Sequence, residues 1–271
     1  MFWCILVKLL RFTMFNKIMD KEIYEKITKR KQFSQLRKID VELAWEHFEN
    51  KQLSLEEKIK STRNLLGKSF VMFTSKRFLK DKVFEADWIL KRHSSTSERF
   101  DHYSEIYSRI FSRLKGNFTV FDLGAGVNAF SVKYLPPKTK YIGVESIGQL
   151  SKISKIYFKE NKLNNMESYH LSLFELDKII SLIKKNKNNL VFLFKVLDSL
   201  EFLKKGYSKF LLKELSPYVD FFVISFAMKS LVKKRDFKVD RRWILDAFPK
   251  EFVLLDQFEI ANEKYFIFSK K

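Results

Sequence analysis

A chain of 271 residues with 46% hydrophobic and 31% charged residues carries enough apolar mass for one large packed domain with an appendage, which excludes a wholly disordered polymer. Its single cysteine, Cys4, excludes an internal disulfide and a cysteine-based metal cluster, and fits a reducing, cytoplasmic setting. Lys and Arg number 52 against 32 Asp and Glu, so the formal charge of +20 makes a polyanion, nucleic acid first, the expected partner.

Residues 1–15 are mostly apolar, but Lys8 and Arg11 interrupt a run already shorter than the roughly 20 residues a spanning helix needs. No membrane segment is expected there. Met14 and Met19 follow closely, so residues 1–18 read either as a misassigned start or as a short helix packed on the body. From Asp20 to Arg92 there is one glycine and no proline, and apolar residues recur at helical spacing: Leu43, Ala44, His47 and Phe48, then Ile59, Leu65, Leu66 and Phe70. Residues 1–92 are therefore expected to form a basic helical domain, and residues 93–271 a second domain of different, α/β character. The net charge of +9 over residues 1–92 suits RNA phosphate, although a solvated helical face is the plainer meaning of such charge.

After Gly116 the pattern changes to short apolar runs separated by amphipathic stretches. Strands are expected at 118–123, 140–145, 167–171, 189–195, 219–226, 252–259 and 264–268, and helices at 127–134, 147–162, 175–186, 199–215 and 239–248. The runs Val191 to Phe194 and Phe221 to Ile224 are apolar without alternation, as parallel strands covered on both faces should be. Only a few residues around Ala261 and Asn262 join the last two strands, too few for a crossover, so these should pair antiparallel. The fold class is α/β: a Rossmann-like seven-stranded sheet with an N-terminal helical domain.

Five of the seven glycines fall between Gly116 and Gly148. Within that cluster, Phe118-Thr-Val-Phe-Asp122-Leu-Gly124-Ala125-Gly126-Val-Asn128 ends an apolar strand in an acid followed by two glycines around one small residue. Such backbone turns sharply or lies close to a ligand, and in a doubly wound sheet the ligand sits beyond the carboxyl end of this strand. Nineteen residues after Gly126 the next strand ends in Glu145, well placed for ribose hydroxyls. The third glycine of the dinucleotide fingerprint and a Gly-Lys-Ser/Thr phosphate loop are both missing, so a nucleoside cofactor without a pyrophosphate fits best. A structural turn beside a surface glutamate is the alternative.

Asp122-Leu-Gly-Ala-Gly-Val-Asn128 resembles the first motif of class I methyltransferases that use S-adenosyl-L-methionine (SAM). More narrowly, the chain resembles the 16S rRNA (guanine-N7) methyltransferases of the aminoglycoside-resistance type. Four further segments carry that likeness in the family's order: His93-Ser-Ser-Thr96-Ser-Glu98-Arg99, Lys195-Val-Leu-Asp198-Ser-Leu-Glu201, Ser225-Phe-Ala-Met-Lys229-Ser230-Leu231 and Asn262-Glu263. It covers about residues 60–271 and implies SAM as cofactor and small-subunit rRNA as partner. It also implies Arg99 on the cofactor carboxylate, Gly124, Ala125 and Gly126 around the methionine part, and Glu145 on the ribose. His93, Asp122, Asn128, Ser172 and Lys195 complete the expected cofactor-binding set. Lys195, Asp198, Ser225 and Lys229 are the candidates for positioning the base.

The chain departs from that family at Ala129, where proline is usual, at Ala227-Met228, where the family has Pro-Thr, and at Val232-Lys233, where it has Gly-Gly. The third-strand acid that often meets the adenine amine is absent; Tyr169-His170-Leu-Ser172 stands there, leaving His170, Ser172 or a backbone carbonyl to substitute. Guanine N7 has an in-plane lone pair, so its methylation needs no general base, in keeping with the lack of a catalytic His–acid constellation. His47, His93, His102 and His170 show no metal spacing, so no metal is expected. Trp243 with Arg241 and Arg242 reads either as an RNA clamp or, at helical spacing from Ala247, as core. A monomer is expected.

Overall fold

The computed structural model describes residues 19–71, 85–228 and 243–271. Seven strands, β1 (Thr119–Leu123), β2 (Lys140–Glu145), β3 (Met166–His170), β4 (Asn189–Phe194), β5 (Phe221–Ala227), β6 (Phe252–Ile260) and β7 (Glu263–Lys270), form one sheet ordered β3-β2-β1-β4-β5-β7-β6. The first five run parallel, and β7 enters antiparallel between β5 and β6. Because β2 lies on one side of β1 and β4 on the other, the chain switches direction at the carboxyl end of β1, where open α/β sheets leave a crevice.

The helices are α1 (Lys21–Thr28), α2 (Lys38–Glu49), α3 (Leu55–Leu66), α4 (Ala86–Arg92), α5 (Ser94–Ser97), α6 (Tyr103–Ser112), α7 (Gly148–Glu160), α8 (Leu176–Lys184), α9 (Leu197–Leu203), α10 (Tyr207–Leu215) and α11 (Trp243–Ala247). Local signals set several of their starts. Asp20 accepts the backbone N–H groups of Glu22 and Ile23 at 2.7 and 3.2 Å, and Ser54 with Glu57 forms a reciprocal capping box at α3.

Successive strand residues face opposite layers, which explains the unbroken apolar runs. Val120 and Phe192 join a cluster with Tyr107, Ile110 and Ile89, whereas Phe121 and Val191 join one with Ile183, Leu211 and Phe222. The first cluster is continuous with Ile27, Val41 and Trp45 of the N-terminal helices, so those helices share the core of the sheet. They dock along the loops after β2 and β3. Leu36 bridges Ile147, the Gly148 N–H donates to the Gln35 carbonyl at 2.9 Å, and Arg37 forks onto Glu175 with two contacts of 2.7 Å. A Cβ on Gly148 would lie 2.9 Å from both Gln35 Oε1 and His170 Cε1, so glycine is what lets this seam close.

Some expected elements are corrected. The stretch 199–215 is two helices rather than one: Gly206 sits at φ +80°, and the Glu201 carboxylate turns back to accept the N–H groups of Gly206 and Ser208 at 2.6 and 2.8 Å, capping α10. The stretch 127–134 is wound as a tight 3₁₀ helix over Asn128–Tyr134. The fourth strand stops at Phe194 because Lys195 adopts φ +56°, which leaves extended geometry. Trp243 packs edge-to-face on Phe226 at 5.9 Å, the core reading of the two. Arg241, Arg242, the segment Lys229-Ser230-Leu231, Val232-Lys233 and residues 1–18 lie outside the described residues. Among the described residues no helix is long and apolar enough to cross a membrane.

Candidate functional site

The crevice is built from the glycine turn outward. Gly124 and Gly126 hold φ of +79° and +53°, and the N–H groups of Gly124 and Ala125 donate to the Val144 carbonyl at 2.9 and 3.0 Å, tying the turn to β2. A Cβ on Gly124 would meet Val196 Cγ2 at 2.6 Å, so the β4 loop packs directly on this backbone. Glu145, buried at the end of β2, accepts the Gly126 N–H on Oε2 at 2.7 Å and the Ile147 N–H on Oε1 at 2.8 Å. Burial pushes its carboxyl up, and those backbone donors pull it part of the way back.

Behind the turn, Asn128 is a junction. Its Oδ1 accepts from Arg99 Nη1 at 3.0 Å and from the Tyr103 hydroxyl at 2.9 Å, while its Nδ2 donates to Asp122 Oδ2 at 2.8 Å and to the Tyr107 hydroxyl at 3.3 Å. Asp122 also accepts the Tyr141 hydroxyl at 2.8 Å. Desolvation raises the Asp122 carboxyl, with Asn128 and Tyr141 opposing it. The acid at the end of β1 is thus held by a neutral donor network, not by a counter-ion in direct contact.

A rail of buried charge closes one side. Arg99 Nε and Lys195 Nζ each lie 3.0 Å from Glu263 Oε2, the Arg99 and Glu263 side chains being 2% and 0% exposed. Lys195 Nζ also reaches Glu98 at 2.6 Å, the Ser225 hydroxyl donates to Glu263, and Arg99 stacks over Phe194 with 5.1 Å to the ring centroid. Burial works against charge on Arg99, but Glu263 outweighs it and drives the pKa up; burial likewise opposes ionisation of Glu263, and Arg99 and Lys195 bring its pKa down. Both shifts favour the charged forms, so Arg99 and Glu263 stand as a buried ion pair.

His93, buried beside Gly126, is pushed down to about 3 by burial and by the Arg99 and Lys195 charges. Its pKa is lower folded than unfolded, so between pH 6.5 and about 3 the unfolded chain takes up a proton that the fold refuses. This group therefore stabilises the fold at neutral pH, and that contribution is lost on acidification through the window. In urea titrations at stepwise pH, His93→Gln should show a shallower loss of stability below pH 6.5 than the parent protein. Equal slopes would mean that His93 charges freely in the fold.

Asp40, on the first turn of α2, was not expected here. It is fully buried, hydrogen-bonded by the Ser146 hydroxyl on Oδ2 and by the Ser172 hydroxyl on Oδ1 at 2.5 Å, and it lines the same crevice. Burial pushes its carboxyl up to about 7 against the pull of the two serines. In sequence it reads as an ordinary first-turn acid complementing the helix dipole, and no local signal marks it.

The crevice brings together His93, Arg99, Asp122, Gly124, Ala125, Gly126, Asn128, Glu145, Ser172 and Lys195. Asp198 sits on the first turn of α9, away from the lining, and Ser225 lies behind Lys195, whose N–H donates to its carbonyl at 3.1 Å. Lys229 lies outside the described residues. His170 bonds the Ser146 carbonyl at 3.0 Å, and His47 the Leu203 carbonyl at 2.8 Å. No group of three metal-ligating side chains occurs among the described residues.

Residues 83–267 match the family model described as ribosomal RNA methyltransferase (FmrO). No curated protein sequence matches the chain. Among solved structures, the 16S rRNA methylase RmtB superposes with a TM-score of 0.72 at 18% identity, covering 94% of this chain and 100% of that one. The 16S rRNA methyltransferase RmtF, in complex with S-adenosyl-L-homocysteine, gives 0.73 at 17% over the same shares. The 16S rRNA methylase ArmA gives 0.55 at 25%, covering 69% of this chain and 92% of that one.

Proposed function

Because the chain belongs to the ribosomal RNA methyltransferase (FmrO) family, we propose that it transfers the SAM methyl group to guanine N7 of small-subunit rRNA, acting as a cytoplasmic monomer. The observation that carries the cofactor reading is the contact of Gly126 with Glu145. Two oxygens of one carboxylate are each anchored by a backbone N–H beside a glycine turn. A carboxylate offers about four acceptor sites, so capacity remains for ribose hydroxyls, in the place the resemblance gives to Glu145. The lack of side chains at Gly124 and Gly126 leaves their backbone open to the methionine part, and Arg99 on the lining suits a carboxylate.

When bound, the cofactor supplies an electrophilic methyl on a sulfonium. The chain's own part is to hold that methyl in line with the base nitrogen and to tolerate positive charge passing from sulfur to the purine. Pairing of Arg99 and Lys195 with Glu263 and Glu98 serves this, since an uncompensated cation at the lining would oppose a sulfonium. No side chain need take a proton from the acceptor, and neutral His93 is consistent with that. The N-terminal helices, with exposed Lys29, Arg30, Lys31 and Lys60, are suited to RNA phosphate, and the energy of that contact can offset the few kcal/mol of unstacking the target base.

Incubation with labelled SAM and intact small subunits, naked rRNA or total protein tests the reading. Label in rRNA, with reductive strand scission at one guanine and loss of both in Glu145→Ala, is the expected result. Label confined to protein would overturn the RNA assignment, and label in rRNA without scission would overturn N7.

A further inference from the structure

One end of the crevice has a wall that the sheet does not supply. After β3, where the family's acid is missing, Ser172 is buried and turns its hydroxyl onto Asp40 Oδ1 at 2.5 Å. The Ser146 hydroxyl, from the loop after β2, takes the other oxygen of the same carboxylate. Asp40 thus stands at the junction of the two loops that flank the ribose acid, yet it is contributed by α2. The residues on either side of Ser172, namely Leu171, Leu173 and Phe174, line the same crevice and give it an apolar surface of the kind a purine ring fills.

A second residue of the N-terminal segment points to the same ligand. Ser69, in the wide turn Gly67–Val71, also lines the crevice; it is 4% exposed, and its Oγ has no hydrogen-bond partner among the described residues. Buried hydroxyls are rarely left so, and a free one facing a cavity marks a place for a polar ligand edge. Two serine donors occupy two of the roughly four acceptor sites on Asp40, and a buried carboxyl is costly unless further donors reach it.

We infer that Asp40 accepts the exocyclic amine of the cofactor's adenine, in place of the third-strand acid this chain lacks, and that Ser69 completes the same polar edge. The adenine is then read by the N-terminal helical segment, not by the sheet. This rests on the SAM reading above, and the test separates the two.

Equilibrium binding of S-adenosylhomocysteine is compared with that of S-inosylhomocysteine, in which a carbonyl oxygen replaces the amine. The full-length protein should prefer the adenosine form by about tenfold or more, the size expected for one hydrogen bond to a charged group. In Asp40→Asn, the new amide keeps one oxygen for the serines and offers an N–H to the carbonyl, so the preference should collapse or invert. Ser69→Ala should weaken the adenosine form several-fold. An equal loss for both ligands in Asp40→Asn would make Asp40 a clamp between loops and overturn the inference. So would a parent preference near unity, a result that needs no variant to fold. Binding of neither ligand by the parent protein would instead remove the SAM reading, and this inference with it.

Discussion

Glu263→Ala should cost the fold about 3–5 kcal/mol, the range found when one partner of a buried ion pair is removed. Glu263 is fully buried and is the shared counter-ion of Arg99 and Lys195, which are themselves 2% and 7% exposed. Deleting its carboxylate strips Arg99 of its ion pair, leaves Lys195 with Glu98 alone, and orphans the Ser225 hydroxyl. Urea unfolding measures the loss directly, and Glu263→Gln should recover only part of it, since an amide oxygen keeps hydrogen bonds without the charge. A loss below about 1 kcal/mol would show that water reaches the rail and that the charges are not dry.

Asn128→Ala should rank next, at about 3 kcal/mol, because one truncation leaves several buried groups short of partners: Arg99, Tyr103, Tyr107 and Asp122. Each orphaned buried group costs about 1–3 kcal/mol, discounted where neighbours shift to re-pair. Tyr103→Phe removes a single hydroxyl from the same junction and should cost about 1 kcal/mol. The ratio of the two measured values is what matters. If both variants lose the same amount, Asn128 is one contact among several and not the junction its geometry describes.

Much of the sheet was legible because its signals are local. The unalternating run Val191 to Phe194 and the short joint at Ala261 and Asn262 both depend on neighbours in sequence, and both were realised as strands with the expected partners. The same is true of the glycine turn, whose partner Glu145 lies nineteen positions from Gly126, one crossover away. What could not be read are pairings set by tertiary distance. Glu263 was visible in a motif, but its work as counter-ion to Arg99 spans 164 positions. Asp40 meets Ser146 and Ser172 across 106 and 132 positions, so its sequence context says only that a helix begins there. The break between α9 and α10 is a different case: Gly206 after two lysines is a local helix-end signal, set between two stretches that both keep helical apolar spacing.

The seam between residues 35–40 and the loops after β2 and β3 also orders the events of folding. Arg37 waits 138 positions for Glu175, and Asp40 has no serine to meet until the third strand has formed. On the ribosome the first helices emerge long before their seat exists, and closing so long a loop is slow even when its thermodynamic cost grows only with the logarithm of its length. The nascent chain is therefore expected to acquire its secondary structure early and its finished crevice late, with residues 35–40 reaching their seat only after β3 has formed.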